Sequence, residues 1–570
     1  MSLLEKHITE PKIAYFSMEI GIRDEIPTYS GGLGVLAGDT VKSSADLKLP
    51  FVAVTLISRK GYFRQELDSS GRQTEYPAVW EPSDLLVNTG EKVTVQIEGR
   101  DVRIGSWVYF VNSPTGGIVP VIYLDTDLPE NSTDDRTLTD HLYGGGDSYR
   151  IKQEVILGIG GVRMLWKLGF KIKKYHMNEG HAAFLTLELL QEYKKDIESV
   201  WDESQIWDIK TVKELCVFTT HTPLEAGHDK FSYELYDSVF GSYFPTKMLK
   251  QLAGEKNVNM TLLGFNLSNY VNGVAKKHGE VSQGMFPGYH INAITNGVHS
   301  FTWTCESMKK IFDKYLTGWA NEPEIFVRVG SIPDEEIWAA HSEAKKKLID
   351  FVNSVSGAGM DHETLTIGFA RRATAYKRAD LLFSDLKRLE DIGSGKIQII
   401  YAGKAHPKDN VGKELIQGIF SSIEKLKGKI KIAFVQNYNM EIALKLVSGV
   451  DVWLNTPLRP LEASGTSGMK AAHNGVLNFS VLDGWWIEGH IEGFTGWAIG
   501  PAPTGIGPEN NINKIDADDL YYKLEKIIIP TYYNDRKTWI RMMQNAIGKN
   551  AYYFNSHRMM RRYVTEAYIR

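Results

Sequence analysis

Leu365-Thr-Ile-Gly-Phe-Ala370, Ile397-Gln-Ile-Ile-Tyr-Ala402, Ile430-Lys-Ile-Ala-Phe-Val435, Val450-Asp-Val-Trp-Leu454 and Val476-Leu-Asn-Phe-Ser-Val481 are short apolar runs rich in β-branched and aromatic residues, separated by stretches of helical character. Runs of this length read as strands buried on both faces, and their alternation with helices is the signature of a parallel α/β sheet. Nearer the start, Lys12-Ile-Ala-Tyr-Phe16 and Phe51-Val-Ala-Val-Thr-Leu-Ile57 read the same way, with a glycine-rich turn and a helix from Val35 toward Leu47 between them. The connection-rich stretch Asn292-Ala-Ile-Thr-Asn-Gly-Val298 lies between the two α/β regions and marks the expected boundary. A cleft there would suit a ligand.

The 570 residues exceed one ordinary domain and suggest two large ones. Hydrophobic residues at 43% and charged residues at 24% are the proportions of a soluble globular chain. With 65 basic against 69 acidic side chains, no global field exists to draw in nucleic acid or an anionic membrane, so any anion needs a local site. Cys216 and Cys305 cannot build a disulfide framework, and the former sits in an apolar run where a buried thiol is expected; a reducing cytoplasm fits. The start Met1-Ser-Leu-Leu-Glu-Lys-His-Ile8 lacks a signal-peptide core, and no later segment approaches the roughly 20 apolar residues of a membrane span. Gly144-Gly-Gly146 and the stretch from Gly500 to Pro508 read as irregular loops, and Asp535 to Arg570 as helix with a solvated basic face.

Three segments could carry chemistry. In Ser30-Gly-Gly-Leu-Gly34, glycines let backbone N–H groups approach an anion at a helix start. Gly32, Gly34 and Ala37 also satisfy a dinucleotide fingerprint, but the preceding strand ends too far back and no acidic residue closes the next one, so an oxyanion cradle is preferred over a dinucleotide site or a bare turn. Arg371-Arg-Ala-Thr-Ala-Tyr-Lys-Arg378 follows a strand end, where a helix is expected to begin. Four cations in eight residues repel one another unless an anion joins them, which favours a phosphate site over a solvated helix start. In Glu462-Ala-Ser-Gly-Thr-Ser-Gly-Met-Lys470, small residues expose backbone donors and a lysine follows. Such a lysine can form a Schiff base, make a plain phosphate contact or lie on the surface, and composition does not decide among these. His176-Met-Asn-Glu-Gly-His181 and His221-Thr-Pro-Leu-Glu-Ala-Gly-His228 lack the zincin spacing, so core or sugar-binding histidines are expected and no metal site is assigned.

Together these segments resemble the α-glucan (glycogen, starch, maltodextrin) phosphorylase family, from Ser30 to about Asp483, in its compact bacterial and archaeal form. The run Glu462 to Lys470 followed by Asn474-Gly475 is similar to the family's pyridoxal-phosphate signature. The resemblance implies a GT-B type glycosyltransferase fold, two Rossmann-like domains facing across a cleft: 1–297, then 298–545 binding pyridoxal 5′-phosphate, then a helix 546–570 returning to the first. It implies that Lys470 tethers the cofactor, whose neighbours are Thr466, Arg371, Tyr438, Ser467 and Gly468. Gly31, Gly32 and Leu33 match the loop at the substrate phosphate, and Arg372 and Lys377 match its ligands. His221 and Asn296 match the residues at the glucosyl 6-hydroxyl. Glu462, Ser464 and Gly465 match those at the 3- and 4-hydroxyls, with Tyr376 close by. The implied reaction is reversible phosphorolysis of terminal α-1,4-glucosyl units to α-D-glucose 1-phosphate with retention, in the cytoplasm, by an enzyme of dimeric habit.

Departures from the family pattern are Thr374 in place of histidine, Arg371 in place of lysine, and Ser-Gly after Thr466. No equivalent of the N-terminal phosphorylation segment of the animal enzymes is found. A nucleotide-sugar glycosyltransferase of the same fold would need no pyridoxal. A catalytically idle glucan-binding protein would use Trp485, Trp486 and Trp497 as stacking platforms, although core or cleft positions suit these residues better.

Overall fold

A computed structural model describes residues 4–196, 203–503 and 511–569. Residues 1–3 of the N-terminal run and 504–508 of the Gly500–Pro508 stretch lie outside them.

Two sheets organise the chain. The first has nine strands, running by first residue in the order 292, 270, 216, 172, 12, 51, 118, 100, 87. Its first seven are parallel, and Arg100–Asn112 and Val87–Ile97 extend it as antiparallel strands. The second has six strands in the order 431, 397, 365, 452, 477, 496, all parallel. Numbered along the chain the second sheet is 3-2-1-4-5-6, the Rossmann order, and the parallel part of the first repeats that pattern with one further strand. The expected strands appear within a residue or two of their sequence bounds, and Gly496–Ile499 is a sixth that the apolar pattern did not reveal.

Successive strand residues point to opposite sides, and the parallel strands are buried on both, whereas Val87–Ile97 and Arg100–Asn112 keep many positions exposed. In Lys12–Phe16, Ala14 and Phe16 enter one core while Ile13 and Tyr15 enter another, which includes Leu36 and Val41 of helix α1 (Gly32–Asp46). In the second sheet, Ile397, Ile399 and Tyr401 enter one core and Ile400 and Ala402 its opposite. Each fully buried isoleucine or phenylalanine contributes about 1.5–3 kcal/mol, and the polar residues these runs contain are hydrogen-bonded, Gln398 donating to Asp361 O (2.7 Å) and Asn478 to Gly468 O (3.0 Å).

The two-sheet, cleft-separated GT-B arrangement is thus present. All strands of the first sheet lie between Lys12 and Ala293 and all of the second between Leu365 and Ile499. The helical run from Arg536 continues without a break through Ala551, so a boundary at 545/546 falls inside it, and the chain turns back at Asn555. Beyond that turn, a helix (Ser556–Tyr563) packs on α1. Tyr568 hydrogen-bonds His176 at 2.7 Å and Tyr563 hydrogen-bonds Thr219 at 3.1 Å beneath the first sheet.

A hairpin of the first region, Arg64–Leu67 paired with Gln73–Tyr76, reaches over to the second. The Gln73 amide donates to Ala405 O (2.9 Å) and accepts from Ala405 N (3.0 Å), while Gln65 donates to Gly403 O (2.9 Å) and accepts from Asn437 N (2.9 Å). These loops follow the second sheet's strands, so the hairpin fastens one domain to the ligand-facing edge of the other.

Candidate active site

In a doubly wound sheet, ligands bind where the strand order reverses, outside the carboxyl ends of the strands. In the second sheet this point lies between Leu365–Ala370 and Val452–Asn455, and the segments leaving those strands are Arg371–Arg378 and Thr456–Lys470. In the first it lies between Lys12–Phe16 and Ile172–Asn178, which lead into Glu19 with the glycine loop and into Glu179. The segments chosen from sequence therefore leave the strand ends that the topology favours.

One sequence expectation is corrected here. No α-helix follows Ala370; the basic run forms a short 3₁₀ turn, Ala375–Lys377, and Arg378 adopts a left-handed backbone with φ of 46°. The first α-helix after it begins at Leu386. The cations sit on an irregular turn because their partners pull them in different directions. Arg378 is spent on structure, donating to Asp516 (2.6 Å) and to the carbonyls of Thr456 and Pro457. Arg371 Nη2 donates to Glu462 Oε2 (2.7 Å), and Lys377 pairs with the same oxygen while lying 4.4 Å from the centre of the Tyr376 ring.

These partnerships set the charges. Burial and the Arg371 cation bring Lys377 down to about 7. Burial alone would raise Glu462, but Arg371 and Lys377 hold it at about 2. Burial and the Glu462 carboxylate raise Asp483, which accepts the Glu462 N–H at 2.8 Å, to about 7.

Among the described residues Arg372 has no carboxylate partner in ion-pair range; its Nη2 reaches the Ser30 hydroxyl of the other domain at 3.4 Å, with its side chain open to the cleft. Tyr62, Glu19, Tyr143 and Tyr376 surround it electrostatically and keep it charged. The glycine loop differs from the simple cradle expected: Glu19, buried, already accepts the N–H groups of Ser30 (2.5 Å) and Gly31 (3.3 Å) and the Tyr143 hydroxyl (2.9 Å). The N–H groups of Gly32 and Leu33, at the start of α1, have no partner within the helix. A side chain at Gly31 would come within 3.2 Å of Arg372 Nη2, and one at Gly32 would enter open space.

On the glucan side, His221 Nε2 meets Asn178 Oδ1 at 2.6 Å, and its N–H donates to Glu179 at 2.7 Å. Burial keeps the imidazole neutral, at about 3, and pushes Glu179 up to about 7. Ser464 Oγ and Asn296 Oδ1 are buried with no hydrogen-bond partner. Gly465 holds a left-handed φ of 82° that lets the chain double back between Glu462 and Lys470.

The segment then enters helix α2 (Ser467–His473), which Thr466 precedes without a side-chain capping hydrogen bond. The Ser467 hydroxyl accepts the Trp453 indole at 3.1 Å, and Gly468 lies so close to Asn478 and Trp485 that a Cβ would stand 2.4 Å from Asn478 Oδ1. Both residues serve packing around the turn. Tyr438 is half-buried beside Arg371. Lys470 is 7% exposed, its ammonium 3.7 Å from the centre of the Trp303 ring, and burial brings it down to about 8. Trp485, Trp486 and Trp497 are buried and offer no stacking platform.

The residues fit an anionic, carbonyl-bearing cofactor. Among the described residues Arg371 Nε and Nη1 and Thr374 Oγ1 are buried donors without partners, in a class of atom that folded proteins rarely leave unsatisfied, and Lys470 is a buried amine that burial makes easier to deprotonate than an ordinary lysine. Sequence reasoning missed Glu19, Glu179, Asp39 and Trp303. Asp39 left a trace, an acid inside the otherwise small and apolar Ala37-Gly-Asp-Thr-Val41; the others carried no spacing signal.

Comparison with known proteins agrees with this arrangement. A family model described as carbohydrate phosphorylase matches residues 245–492. The chain is 40% identical to a maltodextrin phosphorylase of Thermococcus litoralis and 37% identical to a glycogen phosphorylase of Mycobacterium tuberculosis, in each case over 98% of this chain and 70% of the relative. It is 35% identical to a glycogen phosphorylase of Aquifex aeolicus over 98% of this chain and 86% of that one. Identity at this level along nearly the whole chain, with the basic turn, the glycine loop and the buried lysine at the sheets' switch points, places the protein in the carbohydrate phosphorylase family.

Proposed function

We propose that this chain is an α-1,4-glucan phosphorylase: orthophosphate cleaves the terminal α-1,4-glucosyl unit from the non-reducing end and releases α-D-glucose 1-phosphate with retention. The observation that carries this reading is Arg372, an unpaired guanidinium facing the Gly31–Leu33 loop across the cleft. That is a site for a small dianion supplied by both domains.

Arg372 and the N–H groups of Gly32 and Leu33 hold the attacking phosphate, and Lys377 adds a second positive charge. The substrate hydrogen phosphate gives its proton to the departing 4-oxygen as the glycosidic C–O bond breaks, and one of its oxygens bonds to the anomeric carbon from the face just vacated, which retains the α configuration. His221, Asn296, Glu462 and Ser464 receive the sugar hydroxyls. The unpartnered oxygens of Asn296 and Ser464 support that role. Pyridoxal 5′-phosphate, when bound, supplies a phosphate that exchanges protons with the substrate phosphate. Lys470, Thr466, Arg371 and Tyr438 would hold it, and Ser467 and Gly468 shape the turn beneath. Among the described residues no helix is long and apolar enough to cross a membrane. We place the domain division near residue 297, with the closing segment returning to the first domain.

The test is to incubate the purified protein with maltodextrin and orthophosphate and measure glucose 1-phosphate, together with an absorbance spectrum for bound pyridoxal. Phosphate-dependent release supports the reading. Glucosyl transfer from a nucleotide sugar by a colourless protein would replace it with the glycosyltransferase alternative.

A further inference from the structure

Asp39, Lys42 and Asp46 lie on α1, the helix that the glycine loop begins. Asp46 is committed to His299 (2.7 Å), His557 (3.1 Å) and the Ser113 hydroxyl (2.5 Å). Asp39 is 2% exposed, and both its oxygens accept the indole N–H of Trp303, at 3.0 and 2.9 Å. Trp303 is itself buried, and the Lys470 ammonium rests 3.7 Å from the centre of its ring. Carboxylate, indole N–H, ring face and lysine nitrogen thus form a continuous series from one domain to the other. A cation is drawn to the electron-rich face of an indole, and an N–H donating to a carboxylate polarises the ring in the direction that favours that cation.

From this geometry we infer that Asp39 is the counter-charge of the Lys470 nitrogen, acting through Trp303 as a positioning residue for the cofactor lysine. The inference rests on Lys470 being that lysine. Burial pulls the Lys470 nitrogen toward its free base, Asp39 opposes the pull and Lys42 assists it. The nearby histidines add no charge: His299 is held below its ordinary range by burial, and His473, between Ser300 Oγ and Met469 O, is brought to about 4. Burial sets the range of pH in which Lys470 can accept a carbonyl, and two residues of the opposite domain tune it in opposite directions. Asp39 is a position that the family-like segments do not include.

The full-length chain, freed of bound carbonyl compounds with cysteine, is treated with pyridoxal 5′-phosphate over a series of pH values and reduced with borohydride. The free amine adds to the aldehyde carbon, a C–N double bond replaces the C–O double bond and water leaves. Hydride then adds to that carbon while the nitrogen takes a proton. The yield of the Lys470 peptide against pH gives a midpoint. Asp39→Asn keeps an oxygen for the indole and removes the charge, so the midpoint falls by about one pH unit. Lys42→Gln shifts it upward. Opposite shifts establish an electrostatic role that a merely structural residue would not produce. Unmoved midpoints, or shifts of the same sign, overturn the inference, and if Asp39→Asn fails to fold, an unmoved Lys42→Gln midpoint does so alone. A wild-type chain that never labels at Lys470 removes the cofactor reading as well, so the two failures are told apart.

Discussion

The Lys377 ammonium is paired with Glu462 Oε2, so the turn leaving the central strand Leu365–Ala370 is fastened to the segment leaving its neighbour Val452–Asn455. Arg371 closes on the same oxygen. One carboxylate thereby holds both sides of the second sheet's switch point.

Replacing it by Glu462→Gln leaves two buried cations short of their counter-charge, a loss of about 3 kcal/mol or more in denaturant unfolding at neutral pH. The pH dependence has a definite sign. Glu462 stands at about 2 in the folded chain against an ordinary 4.5, so its contribution is complete above pH 4.5 and is lost as pH falls toward 2. The wild type should lose this stability across that window and the glutamine variant should not, as unfolding curves at stepped acid pH would show.

Arg372→Ala removes the guanidinium facing the glycine loop. A hydrogen bond to a charged group is worth about 1.5–3 kcal/mol, so phosphate use should weaken by about ten- to a hundredfold or more. Initial rates against phosphate concentration measure this, with the glucan dependence changing less. An unchanged phosphate KM would remove Arg372 from the role.

Lys470→Arg keeps the positive charge over Trp303 and cannot form a Schiff base. The expected result is a folded, colourless protein with less than a tenth of wild-type activity. Absorbance and melting temperature measured on one sample separate cofactor loss from unfolding.

Gly465→Ala forces a Cβ into a left-handed conformation, costing about 1–2 kcal/mol, with the new atom 3.3 Å from Glu462 Cγ. Because Ser464 and Thr466 flank the turn, the glucan KM should rise along with the fall in stability. Denaturant melts and glucan titrations report the two effects.

Gln73→Ala strips both backbone groups of Ala405 of their partner. Each unpaired group costs about 1–3 kcal/mol, and the loop concerned also accepts the Ala373 N–H through Lys404 O at 3.0 Å. Thermal stability should fall and the phosphate KM rise together, because the hairpin supports the turn that carries Arg371 and Arg372.

The sequence by itself determined the second sheet, because strands buried on both faces are predominantly apolar and β-branched, as Ile397–Ala402 is apart from Gln398, whose amide donates to Asp361 O and Thr366 Oγ1. It also singled out Arg371–Arg378 by its clustered cations and Glu462–Lys470 by its small residues ahead of a lysine, and both segments leave the strand ends at the second sheet's switch point. Gly496–Ile499 escaped notice because its four residues, one a glycine, carry too little apolar pattern. Tertiary structure alone decided how the charges are shared: that Glu19 fills part of the glycine loop, that Arg378 is structural while Arg372 stays free, and that Asp39 sits behind Lys470. The physical reason is that a side chain's charge state and partner depend on burial and on groups brought in from distant segments. Lys470 and Asp39 are 431 positions apart in the chain, and only the tertiary fold brings both against Trp303.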